Sequence, residues 1–150
     1  MIVLEIPAAP PGLNMVLRMG WQRRHSLTRK WRKSIWAARC QVIHGRPTPI
    51  AKAKVLIERT SPNLLDTDNL YGSVKVVLDA LRCNELIVDD NPESLTLGVT
   101  QKKGPPHLRI QIEDVLGAPK SIGSNVQNPP TSAICASKPH SESTASAVTR

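Results

Sequence analysis

The sequence contains no phenylalanine and one tyrosine, Tyr71, and its only other large aromatic side chains are Trp21, Trp31 and Trp36. Platforms of stacked aromatic rings, on which single-strand binders hold bases, are therefore poorly supplied. Cysteine is equally scarce: Cys40, Cys83 and Cys135 are an odd number, and no CxxC or Cys/His ligand spacing occurs. They support neither a disulfide framework nor a zinc site, and they fit a reducing cytoplasm. No apolar run approaches the roughly 20 residues of a membrane helix, and no basic region with a long apolar core follows Met1. The chain reads as soluble and not exported, with no membrane partner. Acid is missing from most of the first half, with no Asp or Glu between Glu5 and Glu58.

That same window holds Arg18, Arg23, Arg24, Arg29, Lys30, Arg32, Lys33, Arg39, Arg46, Lys52 and Lys54, and the whole chain carries a net charge of +8. A block of one sign draws in phosphates and releases their counterions, so nucleic acid is the natural partner. A chain of 150 residues can bury one real core but not two comfortable ones. One domain over residues 1–115 with a tail over 116–150 is the expected organisation. From about Gly117 to Arg150 the composition is Ser, Thr, Ala, Pro, Asn and Lys without apolar period. Such a segment cannot offset its ordering entropy, so a disordered tail is expected.

Met1 to Ile6 reads as a first strand, stopped by Pro7, Pro10, Pro11 and Gly12, with Asn14 at the end of the loop. No regular element is assigned from Val16 to Arg24. Ser26 or Thr28 can cap a helix in which Trp31, Ile35, Ala38 and Val42 form an apolar stripe, with Trp31 and Trp36 read as core anchors. Gly45 and Pro47 end it. Ala51 to Thr60 alternates Ala53, Val55 and Ile57 with Lys52, Lys54, Leu56 and Glu58, which predicts a strand with one buried face. A second helix starts near Asp68 as N-cap and buries Leu70, Val74, Val77, Leu78 and Leu81, with Asp79 turned away from that stripe. Leu95 to Thr100 and Leu108 to Glu113 read as strands joined in a hairpin by Gly104-Pro105-Pro106. The order β, α, β, α, β, β predicts an α+β domain: a small mixed four-stranded sheet with two helices on one face.

The stretch from Asp66 to Asp90 concentrates the acid. Asp66 and Asp68 are two apart, so in an extended entry to a helix both side chains point to one side; the second can cap the helix while the first faces a cation. Lys75 lies seven residues beyond Asp68, about two turns or 10 Å along the same face. A third carboxylate is available from Asp89 or Asp90. Mg2+ takes a few carboxylates plus waters and phosphate oxygens, so this sparse set suits phosphodiester hydrolysis. A calcium loop of the EF-hand type fails on position: with Asp66 first, Tyr71 falls where glycine is needed and Val77 where glutamate is needed. The same residues admit a plainer account, with Asp68 only an N-cap, Asp66 a solvated loop residue, and Lys75 with Asp79 an i, i+4 surface pair.

The run Asp66-Thr67-Asp68-Asn69-Leu70, then Lys75, Asp79-Ala80-Leu81 and Asp89-Asp90, resembles the signature of the RusA family of Holliday junction resolvases, often carried by phages and prophages. The early strand and Pro10-Pro11-Gly12-Leu13-Asn14 are similar to that family's proline-rich loop with its asparagine. The match covers roughly residues 1–114 in element order. It implies a homodimeric, Mg2+-dependent endonuclease that nicks four-way DNA junctions in pairs during recombination and repair, in the cytoplasm of a bacterium or phage-infected host cell. It also implies Asp66, Asp68 and Asp90 as metal ligands, Lys75 as catalytic lysine and Asn14 as a DNA contact, while the basic block puts Arg23, Arg24, Arg29, Lys30 and Lys33 on phosphates. Two departures stand out: the interval from Asn69 to Lys75 is longer than in the family's best-known member, and the basic segment Arg18 to Lys33 is longer and richer in Arg and Trp. Beside this reading stand a non-catalytic protein binding branched nucleic acid, and a metal nuclease acting on flaps or single strands.

Overall fold

Strand β2, Ala53–Ser61, is where the alternation of the sequence is turned into a layer. Ala53, Val55 and Ile57 are buried with Arg59 and Ser61 on the same side, whereas Lys54 and Leu56 face outward. In this computed structural model residues 1–116 are described; the polar segment expected to form a disordered tail lies, beyond Leu116, outside the described residues. The other elements are β1 (Ile2–Ile6), α1 (Leu13–Arg18), α2 (Trp21–Val42), α3 (Thr67–Cys83), β3 (Leu95–Lys103) and β4 (His107–Asp114). The sheet order is β1-β4-β2-β3, with β4 antiparallel to both β1 and β2 and β3 parallel to β2. The domain is α+β with a mixed four-stranded sheet, as the sequence predicts.

Leu4, Ile6, Val55, Ile57, Leu108, Ile110 and Ile112 point from the sheet into one core with Trp31, Ile35 and Ala38 of α2 and Val74, Val77, Leu78 and Leu81 of α3. The opposite face carries charged pairs such as Lys54 with Glu113 at 3.8 Å and stays open to water. One buried and one solvated face is the usual state of a sheet with antiparallel pairs.

Four readings of the sequence are corrected. Strands β3 and β4 do not form a hairpin, because β2 lies between them. Their connection crosses the end of β2, where the Gly104 N–H bonds to the Ser61 carbonyl at 3.2 Å and a Cβ on residue 104 would stand 2.8 Å from Thr60 Cγ2. Alternation reports which face of a strand is buried, not which strand lies beside it. A third helix, α1, occupies Leu13–Arg18, and α2 starts at Trp21 rather than at Ser26 or Thr28. Residues 21–26 are all exposed, so no apolar stripe marks them, and Gln, Arg and other helix formers carry the helix back to Gly20. Trp36 is not a core anchor: it is 56% exposed, as is much of Val42, while Trp31 is buried. Trp36 is one position beyond Ile35, some 100° round the helix from the buried stripe. Finally, α3 begins at Thr67, two residues earlier than a cap at Asp68 would allow.

The ends of α3 are tied down from both sides. At its C-terminus Asn84 is the cap and Glu85 adopts φ 59°, while the N–H groups of Glu85 and Leu86 bond back to Arg82 and Leu81 at 3.0 and 3.1 Å. This is the Schellman arrangement, with buried Leu86 completing its apolar contact. Asn84 also donates to the Arg32 carbonyl at 3.1 Å and accepts from Arg39 at 3.2 Å, which joins α3 to α2. Nearer the N-terminus α1 crosses α3 at Gly72, where a Cβ would lie 2.6 Å from Leu13 Cβ. Replacing Gly72 with alanine is expected to lower stability by about 1 kcal/mol, because overpacking outweighs the gain in helix propensity. A urea unfolding midpoint at or above that of the parent would refute this close approach.

Candidate active site and nucleic-acid interface

The chain leaves β2 through Pro62-Asn63-Leu64-Leu65 and enters α3 at Asp66, and one buried and one half-buried polar side chain hold that loop. Arg59 is 5% exposed, and its Nε donates to the Pro10 carbonyl at 3.1 Å while Nη1 donates to the Asn63 carbonyl at 3.2 Å. It has no acidic partner among the described residues, and burial lowers its pKa from the ordinary arginine value. Beside it in the parallel register lies Gln101 of β3, whose amide pairs both ways with Leu65. The Leu65 N–H donates to Oε1 at 2.9 Å and Nε2 donates to the Leu65 carbonyl at 2.6 Å. One guanidinium therefore ties the proline-rich loop before Asn14 to the loop before Asp66, and one amide fixes the residue next to Asp66.

Asp66, not Asp68, is the N-cap. Its backbone is extended and its Oδ1 accepts the Asn69 N–H at 2.9 Å, the three-residue reach of a capping carboxylate. Asp68 falls in the first turn, is exposed, and makes no side-chain hydrogen bond or ion pair among the described residues. Asn69 then turns its Oδ1 to the N–H of Asn14 at 3.0 Å, satisfying an amide in the first turn of α1 that has no partner within that helix. Asn14, Asp66, Asp68 and Asn69 thus share one end of α3.

Lys75 and Asp90 meet further along. Lys75 Nζ donates to Asp90 Oδ2 and lies 3.4 Å from Asp79 Oδ1. The hydrogen bond to Asp90 raises the Lys75 pKa by more than partial burial lowers it, with the charges of Asp79 and Asp90 adding to the rise. The same bond holds the Asp90 carboxyl below the usual range, helped by the charges of Lys75 and Arg82. Arg82 Nη1 stands 3.3 Å from Asp89 and 3.7 Å from Asp90. The choice between Asp89 and Asp90 has a structural side: Asp89 organises its own turn, accepting from the Asp90 N–H and from Asn91 Nδ2 at 2.9 Å each, while Asp90 is the one against Lys75.

The expected ligands Asp66, Asp68 and Asp90 are not drawn into one cluster. Among the described residues no three His, Cys, Asp or Glu side chains form a group able to hold a metal ion. Asp90 meets α3 at Lys75, about two turns or 10 Å beyond Asp68. The basic residues Arg23, Arg24, Arg29, Lys30 and Lys33 are all exposed on α2, with no acidic partner among the described residues. Arg59, Gln101, Asn69 and Arg82 carry positions that motif reading passes over. A charged residue in the buried register of a strand, which Arg59 is, was the one available signal. No helix among the described residues is long and apolar enough to cross a membrane. Comparison of the chain with known protein families and with curated proteins finds no match.

Replacing Arg59 with methionine leaves the Pro10 and Asn63 carbonyls without their donor, and unfolding in urea should show a loss of about 2–3 kcal/mol. Unchanged stability would mean that the guanidinium does not hold the two loops. For Asp90→Asn the expected loss is at most about 1 kcal/mol, since Lys75 is 59% exposed and water screens the pair. Because the Asp90 pKa is lowered on folding, the parent's advantage is full above the ordinary aspartate value and vanishes as pH falls through the lowered one. Because the Lys75 pKa is raised, the advantage is lost again as pH rises through that value, leaving a plateau from about pH 4 to about pH 10. A stability difference that persists in strong acid would contradict the pair.

Proposed function

We propose that this protein is a Mg2+-dependent, structure-specific endodeoxyribonuclease of the RusA type, a homodimer that resolves four-way DNA junctions by paired nicks in recombination and repair. The observation that carries the reading is the end of α3, where Asp66 and Asp68 stand exposed beside the Asn14–Asn69 contact, on a chain whose long helix α2 is basic and unpaired. The donor set suits a hard cation: Asp66 commits one oxygen to its cap, and both oxygens of Asp68 lack protein partners among the described residues. Mg2+ takes one or two carboxylates and completes its shell with water and phosphate oxygens. Asp66 and Asp68 are the residues that would hold it, and Asp90 would join them only on leaving Lys75. Bound there, it would supply an activated water and polarise the phosphate.

The chain's own side chains do the rest. The Lys75 ammonium can leave Asp90 for a phosphate oxygen, neutralising the charge that develops there and freeing the Asp90 carboxylate. Asn14 and the guanidinium and ammonium groups of Arg23, Arg24, Arg29, Lys30 and Lys33 bind the DNA, the cations on phosphates and so without reading sequence. In a two-fold dimer the second site falls on the opposite arm of a symmetric junction.

A second reading, a branched nucleic-acid-binding protein without catalysis, is favoured by one observation: Lys75 and Arg82 already face both oxygens of Asp90. Under it Mg2+ acts only as competing salt. The deciding assay compares a labelled four-way junction, a flap, a single strand and a linear duplex of equal length, each in Mg2+ and in chelator. The junction should be nicked symmetrically and only with metal. Asp68→Asn should slow cutting at least about a hundredfold while junction binding remains. Normal cutting by that variant would remove Asp68 from the site, a retarded but uncut junction would favour the binding protein, and faster cutting of flaps or single strands would reassign the substrate.

A further inference from the structure

Helix α2 has 22 residues, about 33 Å of length, yet it buries only Trp31, Ile35 and Ala38, all from its midpoint onward. Residues 21–26 are exposed on every side, so roughly the first 9 Å of the helix stand clear of the core. At the tip is Trp21, 71% exposed, and Gly20, Gln22 and Arg23 line an open hollow beside its ring. A Cβ on Gly20 would meet nothing within 4 Å, so the approach to the indole is clear. Around it the charge is of one sign: Arg18, Arg23, Arg24, Arg29 and Lys30 are exposed, and no acidic side chain pairs with any of them among the described residues.

We infer that this projecting arm is a reader of unstacked bases, with Trp21 as the stacking surface and Arg23 and Arg24 on the flanking phosphates of a single strand, a gap or an open branch point. This rests on the nucleic-acid side of the proposed function and deepens it. A large exposed ring costs solvation and needs a partner with a flat apolar face, and the surrounding cations require that partner to be a polyanion. Nucleic acid alone among common partners supplies both. Bases inside a duplex already stack on each other, so only unpaired or unstacked ones can offer a face to the indole. Arm-to-arm contact with a second copy of the chain is opposed by repulsion between two cationic arms, so a dimer would form through another face. An anionic membrane is disfavoured because the apolar stripe of α2 is spent on the core, and although Met15 and Leu17 of α1 are exposed as well, Arg18, Arg23 and Arg24 interrupt the apolar surface they share with Trp21. Trp36 is also exposed but lies on the half of α2 that carries the buried stripe, and so serves as a control.

The test is equilibrium binding of the full chain to a labelled single strand, a gapped duplex and an intact duplex of equal length, with tryptophan emission recorded. Trp21 buries nothing in the core, so its replacement leaves the fold intact. Trp21→Ala should weaken single-strand and gapped-duplex binding at least about fivefold and duplex binding by less than twofold, with Trp21→Phe recovering most of the loss. Quenching of emission by the single strand should persist in Trp36→Phe and disappear in Trp21→Phe. Equal affinities of the parent and Trp21→Ala for every DNA would overturn the arm alone and leave the proposed function standing. Absence of binding to any DNA by the parent would overturn both. Loss in Trp21→Ala of binding to phosphatidylserine vesicles, with DNA binding intact, would reassign the arm to a membrane surface.

Discussion

Helix α3 must bury Val74, Val77, Ala80 and Leu81 completely, and nearly all of Leu78, in the core beneath the inward face of the sheet, and nearly all of Leu70 near its start. Each such side chain contributes on the order of 1.5–3 kcal/mol when removed from water, so the rotation of the helix about its axis is not free. Everything polar on α3 is placed by that requirement. With the apolar stripe turned inward, Asp68, Lys75 and Asp79 can only face outward, and Asp66 must sit where the helix starts. Gly72 lets α1 lie close enough for the Asn14 N–H to reach Asn69. The catalytic proposal thus concerns groups whose positions are a by-product of the core.

The loops that deliver those groups are held by polar rather than apolar contacts. Arg59 is a buried cation with no acid beside it among the described residues, kept in place by carbonyl oxygens, which would be an expensive way to stabilise a fold if stability were its only use. What it accomplishes is registration of two chain segments that are far apart in sequence, one leading to Asn14 and the other to Asp66. Gln101 adds a two-way amide contact to Leu65, so the residue before the cap is set from the neighbouring strand as well. A guanidinium and an amide are directional, and direction is what keeping two loops in register requires.

Charge is organised on a larger scale in the same way. The basic residues of α2 have no acidic partner among the described residues, whereas those of α3 face acid: Lys75 meets Asp79 and Asp90, and Arg82 meets Asp89 and Asp90. The first group is available to a polyanion at any time. The second is occupied, and a phosphate entering the site competes with a carboxylate for Lys75. In the proposed enzyme that competition couples substrate binding to release of Asp90, since one ammonium cannot hold both at full strength.

Much of this can be read from residues alone. The alternation from Ala53 to Ile57 and the stripe from Leu70 to Leu81 predict β2 and α3, because periods of two and of 3.6 residues are properties of the backbone itself. The outward position of Asp79, the basic block and the grouping of acid also need no coordinates. Other features depend on neighbours that periodicity does not encode. Which strand lies beside β3, the exposure of Trp36, the continuation of α2 back to Trp21 and the identity of the cap were decided by packing and by the loop that Arg59 and Gln101 hold. The separation of Asp90 from Asp66 and Asp68 is of the same kind, because the path of the chain from Cys83 to Leu95 is set by the Schellman end of α3 and by the Asp89 turn. By itself the sequence determined the strands, the periodic parts of the two long helices and the sign of the charge on each; only the tertiary structure decided the short helix α1, the neighbours of each strand and which of those charges meet, since contacts between segments dozens of residues apart follow from how the core closes.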